Sequence, residues 1–115
     1  MRNIKLVINN SFKKNNKERF FIKKELQSIL NLYAKMVSNG SWKDYSFSSC
    51  AREISFDVYQ RASERPCLRI TKNLKPNYLN EKFLIKDRNG NVIKKSENLS
   101  QLINKTSWSK LRLVK

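Results

Sequence analysis

The side chains of this sequence best suited to chemistry are cations, and the contact they offer is with phosphate. Lys and Arg supply 25 of the 115 residues and Asp and Glu supply 9, which gives a formal net charge of +16. Nucleic acids and anionic membrane surfaces are the natural partners of so positive a chain. A merely basic surface is the alternative, because an AT-rich genome enriches Lys and Asn without selection for binding. Such a bias does not by itself deplete Asp and Glu.

The candidate phosphate contacts form short clusters interleaved with aromatic residues. Cations bind phosphates without exacting geometry, and an exposed ring can stack on a base. Each candidate also has an ordinary alternative, as solvated charge or as a strand or loop residue. The candidate nucleic-acid contacts are Lys13, Lys14, Lys17, Lys23, Lys24, Arg61, Arg65, Arg69, Lys72, Lys75, Lys94 and Lys95, with Tyr59 and Tyr78 for stacking.

One arginine pair has a spacing of its own. Arg61 and Arg65 match the R-x-x-x-R part of the cyclic-di-GMP-binding PilZ pattern, in which two guanidinium groups grip phosphate and guanine. The second element of that pattern, an Asp or Asn followed by Ser and Gly, does not follow downstream. A turn in which Glu64 pairs with either arginine is the structural alternative, and a nucleotide second-messenger sensor is the weaker functional one.

The groups that most enzymes need are missing from the sequence. There is no histidine, two isolated cysteines make no ordinary zinc site, and two glycines build no phosphate loop. We therefore expect no catalytic residues, no metal site and no cofactor. Glu53 and Asp57 are expected on the polar face of one strand, as solvated charge. The spacing of the other acidic residues suggests no magnesium site either: Asp44, Glu64 and Glu81.

The two cysteines and the hydropathy favour a cytoplasmic protein. No secretory signal precedes Cys50 and Cys67, and no stretch reaches the length of a membrane-spanning helix. In the reducing cytosol both thiols are expected as small strand or turn residues.

A helix is the first element that must position these residues. Apolar side chains recur at three- and four-residue steps from Leu26 to Val37, and Asn39-Gly40 supplies a left-handed stop. Residues 1–19 are predicted to form a basic, flexible N-terminal arm, because their Lys/Asn segment has too few apolar side chains to offset the entropy of ordering.

Alternating apolar residues after the helix predict an antiparallel sheet. Phe47, Phe56, Ile70 and Ile85 mark successive strands, and Asn89-Gly90 is a hairpin signal. A short helix near Leu99, with Ser96 as its N-cap, and a closing strand complete the pattern. The strand would run through Trp108, Leu111 and Leu113.

These elements predict one α+β domain over residues 20–115. A long N-terminal helix would pack on an antiparallel sheet of four to six strands, followed by the short C-terminal helix and the closing strand.

The order of these residues resembles the bacterial domain of unknown function 2794 family, which is found mainly in alphaproteobacteria. The resemblance begins at Glu25-Leu26, passes through Trp42-Lys43-Asp44-Tyr45 and Arg69-Ile70, and ends at Leu111-Arg112-Leu113-Val114. Where the family has Arg-Gly-His-Glu-Leu, this chain has Lys95-Ser96-Glu97-Asn98-Leu99, so it lacks that histidine. The resemblance implies a small cytosolic bacterial domain and no particular activity.

The polar motif residues of the resemblance are interpreted as structural. Asp44 follows Trp42 closely enough to accept a hydrogen bond from a turn amide or an arginine, which favours a structural latch. The motif residues are Trp42, Asp44, Tyr45 and Glu64.

The leading hypothesis is a non-enzymatic protein that binds RNA or another nucleic acid through its phosphates, as a ribosome-associated or regulatory factor. The alternative is a protein-interaction adaptor whose sheet edge or helix face docks an acidic partner. The oligomeric state is left open.

Overall fold

The computed structural model describes residues 20–61, 65–106 and 108. Two helices and one sheet make up this part of the chain, which confirms the α+β class. The helices are α1 (Lys23–Ser38) and α2 (Leu99–Lys105), and a 3₁₀ turn spans Leu79–Glu81. The strands are β1 (Asp44–Ser49), β2 (Glu53–Tyr59), β3 (Leu68–Asn73), β4 (Phe83–Asp87) and β5 (Val92–Ser96).

Helix α1 follows its apolar periodicity and its two end signals. At the start, the Glu25 carboxylate accepts the Ile22 amide at 2.9 Å, which satisfies one of the donors left over at a helix N-terminus. At the end, Gly40 has a φ of 83°, a left-handed conformation that glycine adopts without a Cβ penalty. The predicted stop at Asn39-Gly40 is therefore confirmed.

The five strands form an antiparallel sheet in chain order, β1 to β5, so each strand pairs with its sequence neighbour. The Asn89-Gly90 hairpin joins β4 to β5: Gly90 has a φ of 87°, and its amide reaches the Asp87 carbonyl at 2.9 Å. A bulge interrupts the last pair between Ile85 and Lys86. Because the order is a simple meander, alternate turns lie at the same end of the sheet.

The face of the sheet that packs on α1 is apolar and rich in aromatic rings. Phe56 is fully buried at its centre and stacks on Tyr45, with ring centroids 5.2 Å apart. Tyr33 of α1 meets both rings, at 5.8 Å from Phe56 and 4.9 Å from Tyr45. Burial, together with the Asp44 carboxylate and Tyr45, raises the pKa of Tyr33. These edge-to-face contacts fix the helix on the sheet.

One cation interrupts that apolar face. Lys72 lies in register with Ile54 and Phe83, and its side chain is only 1% exposed. Its ammonium lies 2.8 Å from the Glu25 carboxylate and donates to the Phe20 carbonyl at 3.1 Å. The pair ties the start of α1 to β3. Lys72 is thus a structural residue, and the prediction that it contacts phosphate is withdrawn.

The opposite face of the sheet is polar, but its centre is also buried. Asp57 is 1% exposed, and its carboxylate accepts the hydroxyls of Ser48 at 2.5 Å and Ser55 at 2.7 Å. The expectation that Asp57 is solvated was therefore wrong, because a buried carboxylate is held by donors on its own and the adjacent strand. Beside it, the fully buried hydroxyl of Thr71 has no hydrogen-bond partner in the described part of the chain.

Helix α2 is present, but its predicted N-cap lies two residues before the observed one. The Asn98 side chain accepts the Gln101 amide at 3.0 Å, so Asn98 is the N-cap, whereas Ser96 accepts the Asn98 amide at 3.1 Å. Trp108 is buried against Trp42, with ring centroids 5.8 Å apart. The predicted N-terminal arm and the closing strand at Leu111 and Leu113 lie outside the described residues.

Candidate nucleic-acid interface

Four arginines share one end of the sheet, here called the arginine end: Arg61, Arg65, Arg69 and Arg88. The register explains why. Strands β2 and β4 finish at this end while β1, β3 and β5 start there, as the pairing of Val58 with Leu68 shows. Residues 27 positions apart in sequence are therefore gathered by the meander alone.

Arg61 and Arg65 lie on the connection between β2 and β3, and both are exposed. The connection is anchored at its base, because the Cys67 amide donates to the Val58 carbonyl at 2.8 Å. Residues 62–64, between the two arginines, are outside the described part of the chain, and the predicted pairing of Glu64 falls on them. The arrangement places both guanidinium groups at the margin of the sheet, where a ligand can approach them.

Arg69 extends the arginine end onto the polar face of the sheet. Its side chain is 44% exposed, and its Nε lies 3.5 Å from the buried Asp57 carboxylate. In the strand register it stands between Asp57 and Lys86. Lys86 in turn pairs with Glu53 at 3.3 Å. The Asp57 carboxylate thus holds one side of the Arg69 guanidinium, while the side chain stays partly exposed.

Arg88 is the member of this group that the sequence did not indicate. It follows β4 in the hairpin turn, and its guanidinium donates to the Gln60 side chain at 3.3 Å. This contact joins the β4–β5 hairpin to the residue next to Arg61. A signal was present in the sequence, since a meander places the β2–β3 and β4–β5 turns at one end, but spacing along the chain alone hides it.

The structure separates the other predicted cations from the arginine end. Lys23, Lys24 and Lys75 are exposed near the opposite end, because α1 starts beside Lys72 in the second half of β3. Lys94 and Lys95 are exposed on the edge strand β5, where Lys95 lies 3.9 Å from Glu81. Lys13, Lys14 and Lys17 are outside the described residues. The lysines are thus spread over the surface, and four of the five arginines in the described ranges lie at the arginine end, with Arg52 at the opposite end of the sheet.

The two tyrosines singled out for stacking are far from equivalent. Tyr59 ends β2 on the polar face at the arginine end, is half-buried, and shares a 2.9 Å hydrogen bond with Ser46. Tyr78 is 69% exposed in the loop before the 3₁₀ turn, near the other end of the sheet. Tyr59 is therefore the ring placed among arginines.

The predicted structural motif lies at the junction of α1 and β1. Trp42 is buried in the core and Tyr45 stacks on Phe56, so both rings serve the packing. Asp44 accepts the adjacent Tyr45 amide at 2.8 Å. Lys43 joins this junction to the arginine end, since its amide donates to the Tyr59 carbonyl at 2.8 Å.

The carboxylates of the described residues are mostly engaged in the fold. Asp87 accepts the amides of Asn89 and Asn91, each at 2.9 Å, and so shapes the hairpin beside Arg88. Across residues 20–61, 65–106 and 108, no three carboxylates or thiols converge to hold a metal ion. The Cys50 thiol is exposed, and Cys67 is half-buried. Asp44 and Asp87 lie at the same end of the sheet as the arginines, and Asp57 pairs with Arg69 there.

Neither helix in the described ranges has the length and apolar character needed to cross a membrane.

Comparison with known proteins gives one match. A family model described as "Protein of unknown function (DUF2794)" matches residues 19–103 of the chain. No curated protein and no solved structure matches the chain significantly. The match runs from just before α1 into α2, so it includes the whole sheet and the arginine end.

Proposed function

We propose that this chain, which belongs to the DUF2794 family of proteins of unknown function, is a non-enzymatic protein that binds RNA by its phosphates at the arginine end. The observation that carries the proposal is the convergence of Arg61, Arg65, Arg69 and Arg88 at one margin of the sheet. A guanidinium group presents a planar fork of donors that matches phosphate oxygens, whereas a lysine offers a point charge. A role as a ribosome-associated or regulatory factor fits this mode of binding.

The shape of the arginine end favours a single strand over a duplex as the RNA target. Arg61 and Arg65 lie at the margin, and Arg69 lies on the polar face. Tyr59 lies on that same face, two residues further along β2 than Asp57, the cross-strand neighbour of Arg69. Cations that track a backbone beside an aromatic ring are typical of proteins that bind unpaired nucleotides.

The test is binding of a fluorescent single-stranded RNA, followed by anisotropy at low salt. The variant Arg61→Gln/Arg65→Gln/Arg69→Gln is expected to weaken binding more than tenfold, since three phosphate contacts are removed. The matched control Lys23→Gln/Lys24→Gln/Lys75→Gln makes the same change in charge at the opposite end and is expected to bind nearly as well as the parent. No measurable binding of the parent protein at low salt would contradict the proposal.

A second candidate function rests on the edge strand β5. Val92 and Ile93 are exposed there beside Lys94 and Lys95, and among residues 20–61, 65–106 and 108 no further strand pairs with β5. An extended acidic segment of a partner protein would fit such an edge as an added strand, which makes the chain a protein-interaction adaptor. Lysine on an edge strand also discourages such pairing, which is why this function is placed second.

Co-purification separates the two candidates. The tagged protein is recovered from cell extract with and without nuclease treatment. An RNA-binding protein is expected to lose its bound material after nuclease, whereas an adaptor retains its acidic partner. If one protein partner stays bound after nuclease treatment and is not recovered with an Ile93→Lys variant, the result favours the adaptor.

A further inference from the structure

A groove between α1 and α2 has the size and the polar groups of a ligand site. It has a volume of about 390 Å³, within the range of small-molecule sites. Its floor is apolar and includes Leu32, Ile103 and Trp108. The polar atoms of that floor are already satisfied, because the Trp108 indole donates to the Ile103 carbonyl at 3.0 Å.

The rim of the groove carries polar side chains that the fold leaves available. Ser28, Ser100, Asn104 and Lys35 line it and have no side-chain partner among the described residues. Asn31 joins them, since its side-chain carbonyl accepts from Gln27 at 3.3 Å and its own amide hydrogens remain available. No carboxylate is among the lining residues. The rim thus offers amide and hydroxyl groups with one positive charge.

From this set we infer that the groove binds one unpaired nucleotide, with its base on the carboxamides of Asn31 and Asn104 and its phosphate on Lys35. A carboxamide carries both a donor and an acceptor, which matches the hydrogen-bonding edge of a base, adenine above all. The apolar floor accommodates the flat ring. Asn31 of α1 and Asn104 of α2 both line the groove and are exposed, and Asn31 keeps its two amide hydrogens for a ligand.

The position of the groove connects it to the arginine end. Helix α1 starts beside Lys72, and its other end leads through Trp42 and Lys43 directly into the start of β1. The half of the groove that holds Lys35 is therefore nearer to the arginine end than the half that holds Ser28, on the side of the sheet opposite to Arg69 and Tyr59. A single strand bound at Arg61 and Arg65 would have to pass around the margin of the sheet to place a further nucleotide in the groove, and in this respect the inference rests on the proposed function.

The experiment is an NMR titration of the ¹⁵N-labelled full chain with adenosine 5′-monophosphate. We expect saturable shifts in amides of α1 and α2, with a Kd on the order of 1 mM for a single nucleotide. Ribose 5-phosphate is expected to shift only the surroundings of Lys35, because it lacks the base. Absence of saturable shifts around the groove with the nucleotide, or equal shifts with both compounds, would overturn the inference.

A variant pair locates the contacts. Asn31→Ala/Asn104→Ala is expected to weaken nucleotide binding about tenfold, the loss of roughly one bidentate contact. Gln101→Ala changes an exposed amide of α2 that does not line the groove and is expected to leave binding unchanged. Alanine favours helix at all three positions, so the folds remain comparable. An unchanged affinity of the asparagine variant would overturn the assignment.

Failure of this inference is distinguishable from failure of the proposed function. If single-stranded RNA binds and responds to the arginine variants while the asparagine variant and the single nucleotide show no effect, the groove is not a site but the proposed function stands. If the nucleotide binds the groove and RNA does not bind the chain at all, the groove assignment stands and the proposed function fails.

Discussion

The two faces of the sheet each bury a charged residue, and they do so by different chemistry. On the helix face, Lys72 is surrounded by apolar side chains and is balanced by one carboxylate from α1, that of Glu25. On the polar face, Asp57 is the centre of a set of hydroxyl donors, with Arg69 at its outer side. The buried ammonium is therefore neutralised by a carboxylate of another element and also donates to a backbone carbonyl, whereas the buried carboxylate is held mainly by neutral hydroxyl donors of the sheet itself.

The largest effect is expected on the helix face. Replacing Glu25 by Ala removes the carboxylate that balances the buried ammonium of Lys72, and it also removes the acceptor of the Ile22 amide. We expect a loss of about 3 kcal/mol in the free energy of unfolding, measured by urea denaturation.

The double variant Glu25→Leu/Lys72→Met is the control for that prediction. Replacing both charges by apolar side chains of similar size is expected to recover most of the lost stability, because neither charge is then buried alone. A Glu25→Ala variant as stable as the parent protein would mean that the ion pair does not hold α1 on the sheet.

A smaller loss is expected on the polar face. Asp57→Ala deprives the hydroxyls of Ser48 and Ser55 of their acceptor, at an expected cost of about 2 kcal/mol in the free energy of unfolding. Asp44→Ala is the control, since that exposed carboxylate accepts only the adjacent amide, and its cost is expected below about 0.5 kcal/mol. Equal losses for the two variants would show that the Asp57 network contributes nothing beyond an ordinary turn contact.

The smallest effect has the opposite sign. Thr71→Val keeps the shape of the side chain and removes a buried hydroxyl that has no partner among the described residues, so a gain of about 0.5 to 1 kcal/mol is expected. Ser55→Ala, its neighbour in the register, removes a hydroxyl that donates to Asp57 and is expected to lose about 1 kcal/mol. Thermal or urea unfolding of both variants checks the contrast. Destabilisation by Thr71→Val would indicate that the hydroxyl has a partner after all.

Most of the architecture could be predicted from the sequence because it depends on local patterns. The periodicity up to Val37, the glycines with positive φ, and the alternation through Phe56 and Ile70 each specify an element without tertiary information. The N-cap of α2 was misplaced because Ser96 and Asn98 are both good caps, and only the backbone decides between them.

The buried charges were beyond the reach of alternation alone. Lys72 continues the alternation of Leu68 and Ile70, so the face of the sheet on which it lies could be predicted. Its burial could not, because a lysine in a strand is ordinarily assumed to be exposed. For Asp57, the alternation predicts that the side chain lies on the polar face of the sheet, but it does not predict whether neighbouring side chains bury that face. The arginine end was predicted in part, since Arg61, Arg65 and Arg69 were candidates. Arg88 was missed, because its position at this end follows only from the meander order of the strands. The groove could not be predicted from the sequence, because Lys35 and Asn104 are brought together only by the packing of α1 on α2.

We propose that RNA binds at the arginine end specifically and does not respond to the general positive charge alone. The most direct test is the slope of log K against log salt concentration for a single-stranded RNA, compared between the arginine triple variant and the matched lysine triple variant. The arginine variant is expected to lower the slope by about 2, at roughly 0.7 per lost phosphate contact, while the lysine variant keeps the slope of the parent protein. Equal slopes for the two variants would contradict it.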